Sequence, residues 1–270
     1  MRLYDTHAHY NDGRFEEYEG GAEALLSHLH EKEGVDFVLN AATSLESCKE
    51  VLALAERFDF CYCALGIHPE DCGKEQSPGE AVAALRALCK HKKVLAVGEI
   101  GLDYYWEENP PKETQISYFE AQMALARELS LPVVIHDRDA HGDVFDILAR
   151  YPDVVAILHS YSGSPEMARQ YLQNPNRYIS FSGVLTFKNA VKTVETARIV
   201  PEERLLCETD CPYLAPVPYR GKMNHSGYMA KTVEKLAEIK GLPAEELAER
   251  LAENAQRVFF RNGAKSTVTP

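Results

Sequence analysis

The sequence of 270 residues lacks any apolar run near the ~18 residues that a membrane-spanning helix needs. Its amino terminus also lacks a basic region followed by an apolar segment and a small-residue cleavage site, so no signal peptide is predicted. Its seven cysteines are odd in number and form no CxxC motif, which is typical of reduced thiols. These absences predict a cytoplasmic protein without a membrane partner, and no motif indicates an obligate protein partner.

Positive charge is scarce as well. The chain has 29 Lys and Arg residues against 41 Asp and Glu residues, which gives a formal net charge of −12. This charge argues against a protein that coats nucleic acid through a broad basic surface. It does not exclude a nuclease, because bound divalent metals supply positive charge where a phosphate lies. A Gly-x-Ser-x-Gly motif is also absent, so nothing indicates the serine nucleophile of α/β-hydrolases.

Eight short segments rich in Val, Ile, Leu and aromatic residues predict β-strands, and a helical pattern follows each of them. Most of these segments are continuous apolar runs, as expected of parallel strands that are covered on both faces. Eight β-then-α units predict a single (β/α)8 TIM barrel over residues 1–270, with an open doubly wound sheet as the alternative. The predicted strands are Leu3–His7, Val35–Ala42, Phe60–Ile67, Val94–Leu102, Pro132–His136, Val154–His159, Tyr178–Gly183 and Arg204–Asp210.

The first predicted strand leads into a His-x-His pattern made by His7 and His9. Side chains at i and i+2 of a strand point the same way, with Cβ atoms ~7 Å apart, so both imidazoles can reach one metal ion. Asp5 lies on the same predicted face, where it can orient one of the rings. Taken alone, the pattern also fits a strand that ends in two surface histidines.

Other predicted strands also end in ionisable residues. In a barrel, the carboxyl ends of all strands lie at one rim, where catalytic groups gather. Five of the ten histidines lie at such ends, whereas random placement would put most of them on helices and loops. The pattern therefore predicts a metal centre at this rim. The residues concerned are His7, His9, His68, Glu99, His136, His159 and Asp210.

Several motifs at these strand ends resemble the TatD family of metal-dependent deoxyribonucleases, which belongs to the amidohydrolase-like barrels. The resemblance runs in order from residue 3 to about residue 260 and includes the strand that carries His136. The motifs are His7-Ala-His9, Gly66-Ile-His-Pro69, Gly98-Glu-Ile-Gly-Leu-Asp103, His159-Ser-Tyr-Ser-Gly163 and Glu208-Thr-Asp-Cys-Pro-Tyr-Leu-Ala-Pro216.

The resemblance implies a binuclear metal site with two divalent ions. It implies that His7, His9 and Asp210 hold one ion, that His136 and His159 hold the other, and that Glu99 bridges them. Imidazole and carboxylate ligands suit Mg, Mn, Zn, Fe or Co and do not choose among them. Two ions ~3.5–4 Å apart can clamp the attacking and leaving oxygens of an in-line displacement. Asp210 is placed to accept a proton from the attacking water and to pass one to the leaving group.

Further side chains near the strand ends are candidates for substrate contacts. His68 is predicted to contact a phosphate or donate a proton, or else to be a rim histidine bonded to backbone. Flanking phosphates can be held by Arg138, Lys188 and Arg220, together with Lys222. The alternative for each is a surface charge that contacts only water. Glu208 is predicted to orient a metal ligand from behind.

Two long predicted loops, Asp103–Pro110 and Cys211–Gly227, flank this rim. Aromatic residues on or beside them can stack unpaired bases, although packing between loops is the alternative. They are Tyr104, Tyr105, Trp106, Tyr161 and Tyr219.

These observations predict a metal-dependent hydrolase that cleaves DNA phosphodiesters, as a 3′-to-5′ exodeoxyribonuclease preferring single-stranded or frayed ends. One alternative uses the same centre on carboxylic esters or amides, as a lactonase, an amidase or an aminoacyl-tRNA deacylase. Another is a non-catalytic metal-binding scaffold. The DNA substrate follows from the family resemblance, whereas the metal centre also follows from the residues.

Two motifs depart from the family pattern. The sixth-strand motif usually reads His-Cys-Phe-Ser-Gly, and this chain has Ser160 and Tyr161 at the second and third positions. The last loop usually reads Arg-Gly-Lys-Arg-Asn-Glu-Pro, and this chain has Met223 and His225 in place of the second Arg and the Glu. The implied metal ligands are untouched, so these departures bear on substrate preference.

Overall fold

The computed structural model describes residues 1–74 and 77–260, so residues 261–270 of the predicted domain lie outside the described residues. Eight parallel strands pair in sequence order, which confirms the predicted (β/α)8 barrel. The strands are β1 (Leu3–Ala8), β2 (Val35–Ala41), β3 (Cys61–Leu65), β4 (Val94–Asp103), β5 (Val133–Arg138), β6 (Ala156–Leu158), β7 (Arg177–Phe181) and β8 (Leu205–Cys207).

Helices alternate with these strands, and local sequence signals explain several of their starts. Ser44 and Ser77 each accept a backbone N–H in a capping box, and Pro78 occupies the first helical position after Ser77. No helix among the described residues is long and apolar enough to cross a membrane. The helices are α1 (Gly21–Glu33), α2 (Leu45–Glu56), α3 (Pro78–Leu88), α4 (Lys112–Leu129), α5 (His141–Ala149), α6 (Pro165–Leu172), α7 (Val191–Ile199), α8 (Met229–Lys240) and α9 (Ala244–Phe259).

The first and last strands close the barrel beyond the end of β8. Ala8 pairs with Cys211 in a parallel bridge, and the His9 N–H donates to the Cys211 carbonyl at 2.8 Å. The Asp210 N–H donates to the His7 carbonyl at 2.9 Å. These bonds exclude the open doubly wound sheet, because such a sheet leaves its two edge strands apart.

Strands β6 and β8 are shorter than predicted. Each has three residues, and the chain leaves the strand before the site residues His159 and Asp210. Ser160 and Asp210 have φ angles of 40° and 57°, in the left-handed region that strands do not use. The apolar run therefore predicted the strand, and the turn that follows it sets the direction of the site residue.

All eight strands contribute to an apolar cluster inside the barrel, which residues of α9 such as Phe259 close at one end. Val134 and Ile157 are inward members of this cluster on β5 and β6. Because strand side chains alternate, the next inward position on β5 belongs to His136, whereas His159 lies just after the end of β6. The same alternation that fills the apolar interior thus aims the His136 imidazole at the barrel mouth, and the turn after β6 directs the His159 imidazole there.

Candidate metal centre

Imidazoles and carboxylates from the ends of six strands converge at the carboxyl end of the barrel. The potential ligand atoms form three overlapping groups, and within each group they lie within 4.8 Å of one another. The groups are His7, Glu99 and His159; His7, His9 and Asp210; and His68, Glu99 and His136. The structure therefore brings together all six predicted metal ligands and His68.

Glu99 lies at the middle of this arrangement and is buried. Its Oε1 is 2.8 Å from His136 Nδ1 and 2.9 Å from His159 Nε2. Its Oε2 is 3.3 Å from His7 Nε2 and 3.5 Å from His9 Nε2. One carboxylate thus offers a different oxygen to each of two histidine pairs, which is the arrangement that a bridging ligand requires.

Asp210 completes the side of the centre that faces His7 and His9. Its Oδ1 is 3.6 Å from His7 Nε2 and 3.4 Å from His9 Nε2, and the two imidazole nitrogens are 3.0 Å apart. Two nitrogens and two carboxylate oxygens, one of them from Glu99, therefore surround one small volume. Such a mixed nitrogen and oxygen set suits divalent Zn, Mn, Fe or Co.

Three histidines have their outer ring nitrogens bonded to acceptors. His9 Nδ1 is 3.0 Å from a carbonyl oxygen of β2, and His159 Nδ1 is 3.1 Å from Glu208 Oε1. His136 Nε2 is 3.0 Å from Asp103 Oδ2. Because these acceptors only accept, the outer nitrogen carries the proton of each neutral ring, and the nitrogen facing the centre then has a free lone pair. All three rings are thereby held in the tautomer that can bind a metal.

His68 faces the centre with its protonated nitrogen instead. Its Nδ1 accepts the backbone N–H of Glu70 at 3.3 Å, at the start of the 3-10 turn Pro69–Asp71. The proton of the neutral ring must then lie on Nε2, which is 3.6 Å from Glu99 Oε1. His68 therefore presents an N–H donor to the centre, although it lies among potential ligands.

The charges of the centre also fit bound cations. Burial alone would raise the pKa of Glu99, but the nearby imidazoles, that of His159 foremost, lower it well below its usual value. Burial also opposes protonation of His136, yet its bonds to Asp103 and Glu99 raise its pKa to about 9. Ionised carboxylates in a buried place need cations beside them, supplied either by protonated imidazoles or by divalent metals. The donor set and its charge are therefore suited to metal ions.

Asp5 does not orient an imidazole, contrary to the sequence-based expectation. Its Oδ1 accepts the backbone N–H groups of His7 at 3.3 Å and Thr209 at 2.9 Å, and its Oδ2 accepts the Ser226 hydroxyl at 2.7 Å. The buried His7 Nδ1 has no hydrogen-bond partner among the described residues. A shift in the pairing register of β1 after Asp5 breaks the simple alternation, so this carboxylate joins β1 to the chain after β8.

Asp103 was not assigned a role from the sequence. It is fully buried, and its Oδ1 accepts the Tyr105 N–H at 2.9 Å while its Oδ2 faces His136. The available signal was its place at the end of the Gly98–Asp103 motif, four residues after Glu99. Glu208, by contrast, lies behind His159 as the sequence suggested, and it also accepts the Ser160 N–H at 2.7 Å.

Two aromatic residues of the loop after β4 and a cation at the end of β5 form an exposed cluster. The Arg138 guanidinium lies 3.9 Å from the Tyr105 ring centre and 5.2 Å from that of Trp106. Tyr105 and Trp106 are 50% and 43% exposed. This cluster, which we call the aromatic clip, offers flat faces and one positive charge beside the rim.

The other predicted stacking residues are engaged within the protein. Tyr161 is buried, and its hydroxyl donates to the Ser164 carbonyl at 3.0 Å, so it cannot stack a base and that expectation was wrong. Tyr104 donates to Asp143 at 2.8 Å. Tyr219 stacks on another tyrosine ring with centroids 3.8 Å apart. These side chains fill the space between loops.

The remaining predicted contacts lie on the outer part of the rim. Arg220 lies over the Phe187 ring at 4.1 Å, and Lys188 is exposed with no ion pair in the part of the chain described. Of the departures from the family pattern, Ser160 Oγ lies 2.8 Å from Ser182 Oγ, so the hydroxyl has a partner there. Met223 packs against the apolar core.

Comparison with known proteins places the chain among metal-dependent hydrolases. Residues 4–260 match the family described as "TatD related DNase". The chain is 40% identical over 262 residues to "Uncharacterized metal-dependent hydrolase YabD" of Bacillus subtilis, covering 96% of this chain and 100% of that protein. It is 36% identical to "Uncharacterized metal-dependent hydrolase YcfH" of Escherichia coli K12, covering 98% of each.

A solved structure agrees with this placement. The TatD homologue YjjV of Escherichia coli K12 superposes with a TM-score of 0.85 and 31% sequence identity, covering 96% of this chain and 98% of that one. The barrel and its connections are therefore similar along nearly the whole chain.

Proposed function

The chain belongs to the TatD family of metal-dependent hydrolases, and from this premise we propose that it is a single-domain exodeoxyribonuclease that removes nucleotides from 3′ ends. The supporting observation is Glu99, whose two oxygens face separate pairs of imidazoles. A centre of that form suits two divalent ions, and two ions suit the displacement of one phosphate oxygen by another.

We assign His7, His9 and Asp210 as the residues that would hold one ion, and His136 and His159 as those that would hold the other. Glu99 would be a ligand common to both. When bound, the ions would neutralise phosphate charge and make a water molecule more acidic. The ring tautomers of His9, His136 and His159 leave lone pairs available for this purpose.

Asp210 and His68 are the proposed proton carriers. Burial opposes ionisation of Asp210, but its hydrogen bond with His9 lowers its pKa below the usual value, so it can accept a proton at neutral pH. His68 presents its Nε2–H towards the centre and can donate to a phosphate oxygen or to the leaving oxygen. Acceptor and donor would act on opposite oxygens of the displacement.

The rim supports a preference for unpaired DNA. The exposed faces of Tyr105 and Trp106 can stack only on bases that are free of a partner strand. Arg138, which lies over both rings, adds a positive charge for the adjoining phosphate. A single strand or a frayed terminus meets both requirements, whereas a closed duplex hides its bases.

The test compares three DNA substrates at one salt concentration with metal-reconstituted protein. A linear single strand should shorten stepwise from its 3′ end, a blunt duplex should react more slowly, and a covalently closed single-stranded circle should survive. The Asp210→Asn protein serves as the control for contaminating nucleases. Rapid cutting of the circle would show an endonuclease and contradict the end-directed mode.

The same protein should be tested in parallel on RNA, aminoacyl-tRNA and a lactone panel. Turnover of these substrates without turnover of DNA would replace the proposed activity with ester or amide hydrolysis at the same centre. Bound metal without turnover of any substrate would indicate a metal-binding scaffold.

A further inference from the structure

A basic cavity of about 430 Å³ lies beside the loop that follows β8. Arg14, Arg220 and Lys222 line it, and Phe187 and Met223 contribute apolar surface. No acidic side chain is among its described lining residues. In a chain with a net charge of −12, a cavity bordered by three cations and no carboxylate is suited to an anion.

Two of these cations have no ion pair in the described part of the chain. Arg220 lies over the Phe187 ring at 4.1 Å, which steadies its guanidinium and leaves its N–H groups available. Lys222 is exposed. Arg14 is different, since its Nε and Nη2 donate to Asp12 at 2.9 and 2.7 Å. The uncompensated charge of the cavity therefore comes from Arg220 and Lys222.

The loop that carries these cations is held in place by its own hydrogen bonds. The Lys222 N–H donates to the Tyr219 carbonyl at 3.0 Å, and Gly221 has a φ of 83°, as the third position of a type II turn requires. The buried Asn224 side chain donates to the carbonyls of Thr209 at 3.0 Å and Tyr213 at 2.7 Å. Because the turn is fixed, little backbone entropy is lost when an anion binds.

Tyr213 connects this cavity to the metal centre. The Arg14 guanidinium lies 4.1 Å from the Tyr213 ring centre, and that ring lies 6.4 Å from the ring centre of His9. The cavity is therefore adjacent to the metal ligands but separate from them. It also lies beside β1 and β8, whereas the aromatic clip follows β4 and β5.

We propose that this cavity binds a second phosphate of the nucleic-acid strand, next to the phosphate at the metals. The assignment rests on the proposed function, since a polynucleotide carries one phosphate at each successive nucleotide and so brings a second phosphate near the one at the metals. Arg220 and Lys222 contact the phosphate oxygens, and Arg14 limits the size of the cavity. A substrate with only one phosphate leaves the cavity empty.

The test uses the double variant Arg220→Gln/Lys222→Gln, which removes two charges and keeps side-chain length. The control is Lys49→Gln/Lys192→Gln, which removes two exposed lysines on α2 and α7. Binding of a short single-stranded oligonucleotide is measured by fluorescence anisotropy at several salt concentrations, with chelator present to prevent cleavage. The cavity variant should bind about tenfold more weakly, and its plot of log affinity against log salt should be shallower by ~0.7 per lost phosphate contact.

A kinetic measurement separates this proposal from the activity itself. With metal present, the cavity variant should lose about tenfold more kcat/KM on the oligonucleotide than on bis(p-nitrophenyl) phosphate, which has one phosphate. An unchanged salt slope, or equal losses on both substrates, would overturn the second-phosphate site. If wild-type protein hydrolyses neither compound yet shows the expected salt slopes, the proposed function fails and the anion site stands.

Discussion

The metal centre and the outer rim differ in how their polar groups are held. In the centre, the outer ring nitrogens of His9, His136 and His159 each have a fixed acceptor. At the rim, Trp106 and Arg220 are exposed and contact mainly the faces of neighbouring rings. Fixed groups are suited to holding metals in one geometry, whereas exposed cations and rings are suited to contacting a variable strand. Changes in the centre should therefore alter metal content and kcat, and changes at the rim should alter KM.

The largest effect is expected for Glu99→Ala. This substitution removes the carboxylate that faces both pairs of imidazoles, so nearly all activity and most bound metal should be lost while the barrel stays folded. Metal analysis and circular dichroism measure the two properties, and Glu107→Ala, which removes an exposed glutamate, is the control. Two metal equivalents still tightly bound to the Glu99→Ala protein would contradict the bridging role.

Asp210→Asn should have the next largest effect. The amide keeps an oxygen near His7 and His9 but cannot accept the proton, so kcat should fall roughly 10²–10⁴-fold, as expected for a general base. Single-turnover assays on a linear single strand measure the change, after metal content has been matched to wild type. Near-normal turnover in the metal-loaded variant would exclude Asp210 as the base.

Asp103→Asn tests whether the carboxylate that bonds the outer nitrogen of His136 contributes to metal binding, as the ligands do. The substitution replaces the charged acceptor of the His136 outer nitrogen, so metal affinity should fall by roughly 10–100-fold. Metal titration followed by calorimetry gives the affinity without depending on activity. If wild type and variant bind metal equally well, the carboxylate does not position His136.

Trp106→Ala changes a residue of the outer rim and should weaken substrate binding. Loss of one stacking face is worth about 1–3 kcal/mol, so KM for a single-stranded oligonucleotide should rise about tenfold or more. The kcat at saturation should change much less, because Trp106 touches no group of the centre among the contacts described. A fall in kcat with unchanged KM would indicate that Trp106 contributes to the metal centre and not to substrate binding at the rim.

The smallest effect on activity is expected for His225, a departure from the family pattern in the last loop whose contribution is to stability. Burial, with a lesser contribution from His28, lowers its pKa from 6.5 to about 4. The unfolded chain then binds the extra proton between these two pH values, so wild-type stability falls as pH decreases through that window. The free energy of unfolding falls by roughly 3 kcal/mol across this window, because each unit of pKa difference contributes about 1.4 kcal/mol.

His225→Gln should remove this contribution. Its free energy of unfolding, measured by urea denaturation in chelator, should fall less than that of wild type between pH 7 and pH 4.5. Parallel stability curves for the two proteins would show that His225 titrates normally in the folded state. Activity at neutral pH does not enter this comparison.

Much of the barrel and of its centre could be predicted from the sequence. A strand's apolar run and two-residue alternation are local properties, so they locate both the strand and the side chain at its end. His136, two residues after the inward Val134 on β5, is located in this way. The motif around Glu99 was equally informative, because the residues of one strand end are adjacent in the chain.

Other features were decided only by the tertiary structure. Three of them depend on partners distant in sequence. They are the pairing of Asp103 with His136, the bonds by which Asp5 joins β1 to the chain after β8, and the burial of Tyr161. The meeting of Arg14 and Arg220 in one cavity depends on barrel closure and on the fixed turn of the last loop. Local periodicity selects an element and its face, whereas strand register, closure and loop packing determine which side chains meet.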